Sequence, residues 1–193
     1  MEKYIEELQI LAENEIVKDY GIGQGSQNNY SLQISKEKKF SDDDAKYCLL
    51  CLKRNYIIPL SNKQPHLYKI NSSFITRNFQ IINTKPKSNL LAVLDTESIL
   101  VSGMIYKLIE YSKISIENLG LECGTVEHGN KGYPFDLMIY KNNVEYFAIE
   151  AKASEEISEK FIRQINYLSK NQVSWKEISD KKDMHNAHKK LQG

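Results

Sequence analysis

The chain is 193 residues long, 41% hydrophobic and 26% charged, ordinary globular material for one large domain or two small ones. No apolar run nears the ~18 residues that span a bilayer, and the first twenty residues form an acidic amphipathic pattern rather than a secretory leader. A soluble, cytoplasmic protein with no membrane partner is therefore expected. The net charge of +1 conceals a segregation: residues 1–44 carry ten acids and five bases, residues 45–94 eight bases and no acid, and residues 95–193 fifteen acids and thirteen bases.

In chain order, an amphipathic helix is predicted over residues 2–19, followed by the Gly, Ser and Asn-rich connector GIGQGSQNNYS. Its GxGxG spelling follows no strand and reads as a plain loop rather than a phosphate cradle. Ser41, followed by Asp42, Asp43 and Asp44, is the signature of a helix N-terminus, where a hydroxyl caps and acids meet the positive end of the dipole. This second helix is expected to run to about Arg54. It contains Cys48 and Cys51 at CxxC spacing, but with Cys123 they make an odd total of three and no second pair or nearby His completes a zinc site. They read as core cysteines of a reducing compartment.

Two short strands are predicted at 56–60 and 66–70, around a polar turn. The acid-free window is the footprint of a phosphate-binding surface, with Lys53, Arg54, Lys63, Lys69 and Arg77 as candidate nucleic-acid contacts. The alternative is a basic face turned toward the acidic N-terminal segment. Helix, strand, basic turn and strand together resemble a winged-helix domain over residues 1–82, and NTKPKSN opens a predicted linker at 83–94.

The remainder, 95–193, is expected to hold a helix at 96–111, a strand near 121–127, the loop HGNKGYP, strands at 135–140 and 145–153, and a helix at 155–170. A polar tail follows. Within the loop, His128 and Lys131 are candidates for contact with DNA phosphate, or merely solvated. Along the last strand Glu150 and Lys152 emerge on one face with Ala148, while Phe147, Ile149 and Ala151 emerge on the other. Asp136 joins the Glu150 face only if cross-strand partners sum to an even number. A plain two-residue turn at Asn142-Asn143 would make the sum odd, so an odd-length connection or a β-bulge is predicted.

Charges ending apolar strands need a partner, and two neighbouring carboxylates are reconciled by a divalent cation. Mg²⁺, for which Mn²⁺ would substitute, takes oxygen ligands. Asp136, Glu150 and the Ala151 carbonyl are its candidate ligands, with no organic cofactor expected. Lys152 beside it could orient a water or stabilise a phosphorane-like transition state, which points to phosphodiester hydrolysis.

Pro134-Phe-Asp136, thirteen intervening residues, then Glu150-Ala-Lys152 resemble the PD-(D/E)xK nuclease superfamily over residues 95–170. The resemblance implies an α+β, restriction-endonuclease-like fold, a mixed β-sheet flanked by helices, with Asp136 and Glu150 as metal ligands and Lys152 as the catalytic lysine. Members often add an acid from the preceding helix. Glu97 shares a stripe with Val101, Met104 and Leu108 and is preferred here to Glu110 on the opposite face, although Glu97 also suits a helix N-terminus. RQINY resembles the Gln and Tyr-bearing helix that follows the lysine in some members, which makes Gln164 a weaker site candidate and leaves Tyr167 a packing aromatic.

The expected function is metal-dependent DNA cleavage of restriction type. The alternatives are a structure-selective nuclease for branched DNA and a DNA-binding regulator that keeps the fold without activity. Cutting both strands favours a homodimer. The segment QVSWKEISD is a poor strand, so a last strand of the sheet would have to come from elsewhere, such as a partner subunit.

Overall fold

The computed structural model describes residues 2–19, 32–33, 40–61, 64–72, 79–85, 91–123, 135–152, 159–160, 162–164 and 166. The connector at 21–31, Lys63, Arg77, His128, Lys131 and Tyr167 lie outside them. The fold is mixed α/β, helices with small, mostly antiparallel sheets.

Helix α1 spans Lys3–Asp19, and its start is held from a distance: the Asp42 carboxylate accepts from the backbone N–H of Tyr4 at 2.7 Å and of Ile5 at 3.0 Å. Helix α2, Asp42–Lys53, begins with a full capping box. Ser41 Oγ accepts from Asp44 N at 3.2 Å, and the Asp44 carboxylate accepts from Ser41 N at 2.9 Å. The acidic trio is thereby accounted for. Asp42 serves one helix end, Asp44 the other, and Asp43 stands 4.0 Å from Lys46.

Three small sheets follow. Strand β1 (Leu32–Gln33) pairs in parallel with β6 (Leu91–Leu94), which pairs antiparallel with β5 (Ile82–Lys85). Strands β2 (Ile57–Ser61), β3 (Gln64–Ile70) and β4 (Phe79–Gln80) form an antiparallel sheet. Strands β7 (Leu119–Cys123), β8 (Phe135–Lys141) and β9 (Val144–Ile149) form another, with β8 central. The expected linker at 83–94 therefore contains strand residues, 83–85 and 91–94. Asp95, at its end, caps helix α3 (Thr96–Glu110) by accepting from Ser98 N at 3.0 Å.

One buried cluster draws on both halves of the chain: Leu8 of α1, Cys48 and Cys51 of α2, Ile57 and Ile70 of the second sheet, Ile99 and Ile105 of α3, and Leu119, Leu121 and Leu137 of the third. Apolar burial at ~25 cal/mol per Å² makes such a shared core the main source of cohesion. Helices α2 and α3 approach closely at Gly103, where an added Cβ would lie 3.3 Å from Tyr47 Cβ. Gly103→Leu is expected to lower stability by about 1–3 kcal/mol through overpacking, read as a lower urea midpoint with unchanged slope.

Both CxxC cysteines are core residues. Burial pushes the Cys48 thiol up to about 12, only slightly countered by a hydrogen bond with Ser102, and burial likewise raises Cys51. An acid whose pKa is higher in the folded state leaves that state holding the proton after the unfolded chain has released it. Stability contributed by these thiols is complete below about pH 9 and declines as pH rises toward 12. Urea midpoints at pH 8 and 10.5 should show this fall, and Cys48→Ala should lessen it, Cys51 keeping its share.

Candidate functional site

Strands β8 and β9 meet through Asn142 and Asn143, whose φ values of 55° and 63° are those of a type I′ hairpin turn. Next to that turn the pairs are Lys141 with Val144 and Tyr140 with Glu145. The register then shifts, and the pairs become Ile139 with Phe147, Met138 with Ala148, and Leu137 with Ile149. Tyr146 is the extra residue. The turn is thus the plain two-residue kind and a bulge restores even sums beyond it; carried one step past the last pair, Leu137 with Ile149, this register aligns Asp136 with Glu150. Tyr140, on the turn side of the bulge, faces Glu145.

The strand stops earlier than expected, at Ile149. Asp136 Oδ2 accepts from the backbone N–H of Ala151 at 2.6 Å, so a side chain takes the donor that a continued ladder with β8 would use. Past that point Lys152 Nζ donates to Glu150 Oε1, in an ion pair whose side chains are only 17% and 13% exposed. Ile149 and Ala151 pack against the core, whereas Phe147 is 59% exposed.

Glu150, Ala151 and Lys152 line a cleft of about 220 Å³ whose other wall is α3, through Leu100, Val101, Gly103, Met104 and Lys107, with Asp44 at the start of α2. The buried side of α3 includes Ile99, Ser102 and Ile105, and Met104 is 39% exposed. Met104 therefore borders the cleft instead of filling the core. Its stripe-mate Glu97 is half-buried in the first turn of α3. Among the described residues no group of three or more His, Cys, Asp or Glu side chains stands together, so Glu97 is not gathered with Asp136 and Glu150.

Glu110 is engaged elsewhere, accepting from the Tyr56 hydroxyl at 2.7 Å with Arg54 3.9 Å away. That hydrogen bond is the chief cause of a raised Tyr56 pKa. Gln164 is half-buried in a helical stretch, near an Arg163–Glu159 pair at 3.9 Å.

Of the described candidate nucleic-acid contacts, Lys53 lies 3.6 Å from Glu7 of α1 and Arg54 beside Glu110. Both cations are largely exposed, so each pair is weak. Lys69 is half-buried on β3. The Lys53 contact is the basic window turning toward the acidic N-terminal segment.

Asp44 and Lys107 were not singled out by sequence. Asp44 reads as a cap, which it also is, and Lys107 shows its relevance only through helix phase: Leu100, Met104 and Lys107 fall on one stripe. No protein-family model, curated protein or solved structure matches the chain.

Proposed function

We propose that the chain is a metal-dependent DNA endonuclease of restriction-endonuclease-like plan, with the acid-free window that begins at residue 45 in the winged-helix-like first half as a DNA contact. The observation that carries this reading is the bulge at Tyr146. It gives the strand ends the parity that aligns Asp136 with Glu150, and Asp136 is joined through the Ala151 N–H to the cleft that the Glu150–Lys152 pair lines. A structural ion pair at a strand end needs neither the cleft nor the second carboxylate.

The donors suit Mg²⁺ or Mn²⁺: two carboxylates and a backbone carbonyl are hard oxygens, and Mg²⁺ commonly takes only one or two carboxylates beside waters and substrate phosphate. Such an ion, when bound, lowers the pKa of a water and neutralises charge on phosphoryl oxygens. Asp136 and Glu150 would hold it, with the Ala151 carbonyl next to them. The Ala151 N–H fixes the Asp136 carboxylate in advance. Lys152 holds Glu150 and supplies a positive charge toward the phosphate as negative charge builds. Cutting two strands with one such site per chain calls for a homodimer.

The test is supercoiled plasmid with the purified protein and Mg²⁺, Mn²⁺ or EDTA. Nicked or linear DNA with either metal and none in EDTA is the expected result. DNA left intact under all three conditions, on both linear and branched substrates, would sink the proposal and leave a non-catalytic DNA-binding protein.

A further inference from the structure

The stripe of α3 that forms one wall of the cleft continues past it. Leu100, Met104 and Lys107 line the cleft, and Tyr111 follows in the same phase at the helix end, about 6 Å beyond Lys107 along the axis. Tyr111 is 64% exposed.

Its ring is nonetheless held. It meets the Tyr47 ring edge-on at 6.4 Å and 87°, and the Tyr106 ring at 6.2 Å and 87°. A side-chain hydrogen bond with Tyr47 is the largest cause of its raised pKa. Two ammonium groups border the cluster, Lys107 4.4 Å and Lys46 5.4 Å from the centre of the Tyr47 ring. A fixed exposed aromatic one helical turn from a lysine suits a nucleotide, base on ring and phosphate on ammonium.

We infer that Tyr111 is a stacking platform for one unpaired base of a DNA strand whose phosphate lies along Lys107 and enters the Glu150–Lys152 cleft. The inference rests on the nucleic-acid part of the function proposed above and narrows its substrate to DNA with an unpaired nucleotide beside the site. A base within a continuous duplex has both faces covered by neighbours and offers the ring nothing to stack on. An unpaired base in a gap, flap or junction offers a free face.

The experiment uses the full chain in EDTA, so that no turnover intervenes, and a short oligodeoxynucleotide carrying 2-aminopurine, single-stranded or fully paired. Wild-type protein should quench the single-stranded probe. Tyr111→Phe should keep the quench, and Tyr111→Ala should lose it and bind at least about fivefold more weakly, while binding to the paired probe stays unchanged. Full quench and wild-type affinity in Tyr111→Ala would overturn the inference, as would an equal loss on the paired probe. DNA cleavage with a Tyr111-independent probe removes this inference alone. A Tyr111-dependent quench in a protein that cuts no DNA removes the nuclease reading alone.

Discussion

Replacing Lys152 with alanine is expected to lower Mg²⁺-dependent DNA cleavage by about 10²- to 10³-fold, the usual effect of losing one preorganised donor aimed at developing charge. Binding to DNA in EDTA should change by less than about threefold, because one charge among many phosphate contacts is removed. Arginine at this position is not expected to rescue cleavage. A planar guanidinium cannot occupy the place of a compact ammonium on Glu150 Oε1 and present charge in the same direction. Cleavage by Lys152→Ala within threefold of wild type would reduce Lys152 to a partner of Glu150. The ion pair adds a second consequence. Glu150 is shared between Lys152 and any bound cation, so Lys152→Ala should bind Mn²⁺ no more weakly than wild type, as calorimetry would show.

Asp136 should separate into two roles. Its carboxylate accepts a 2.6 Å hydrogen bond from Ala151 N, and a charge-assisted bond of this kind contributes about 1.5–3 kcal/mol. Asp136→Ala is expected to lose that stability, seen as a lower urea midpoint, together with cleavage. Asp136→Asn retains an acceptor of nearly the same shape and should keep most of the stability while still losing at least about 10²-fold in cleavage. If Asn restores both, the carboxylate serves the backbone and nothing more.

Much of the local structure was legible because the signals are local. Ser41 with Asp44, and the periodic run after Thr96, mark α2 and α3 to within a residue or two of their observed bounds. The β8–β9 hairpin is visible as two apolar runs around Asn142-Asn143, and the bulge was expected on the condition that Asp136 and Glu150 share a face, which alternation turns into an even sum. What was not legible depends on distance in the chain. The parallel pairing of Leu32 with Ala92 joins residues sixty apart, through strands too short to carry an alternating pattern, so 83–94 read as a linker. The pairing of Glu110 with Tyr56 likewise spans 54 residues. Helix phase placed Met104 and Glu97 on one stripe, but it could not say that the core would centre one step away, leaving Met104 at the cleft. The basic window was visible as composition. That Lys53 would face Glu7 needed the packing of α1 on α2.

Tyr146 separates two requirements that would otherwise conflict. The Asn-Asn turn obeys hairpin chemistry, which favours two residues, while the far ends of the strands need the opposite parity to align Asp136 with Glu150. One inserted residue serves as a phase shifter between them. Deleting Tyr146 would straighten the strand and yet keep Leu137 opposite Ile149, and one residue added at Asn142-Asn143 would lengthen the loop to three with the same pairs beyond it. The register at the far end of the hairpin is therefore insensitive to either change, and the residue it can lose from within the strand is its most exposed aromatic.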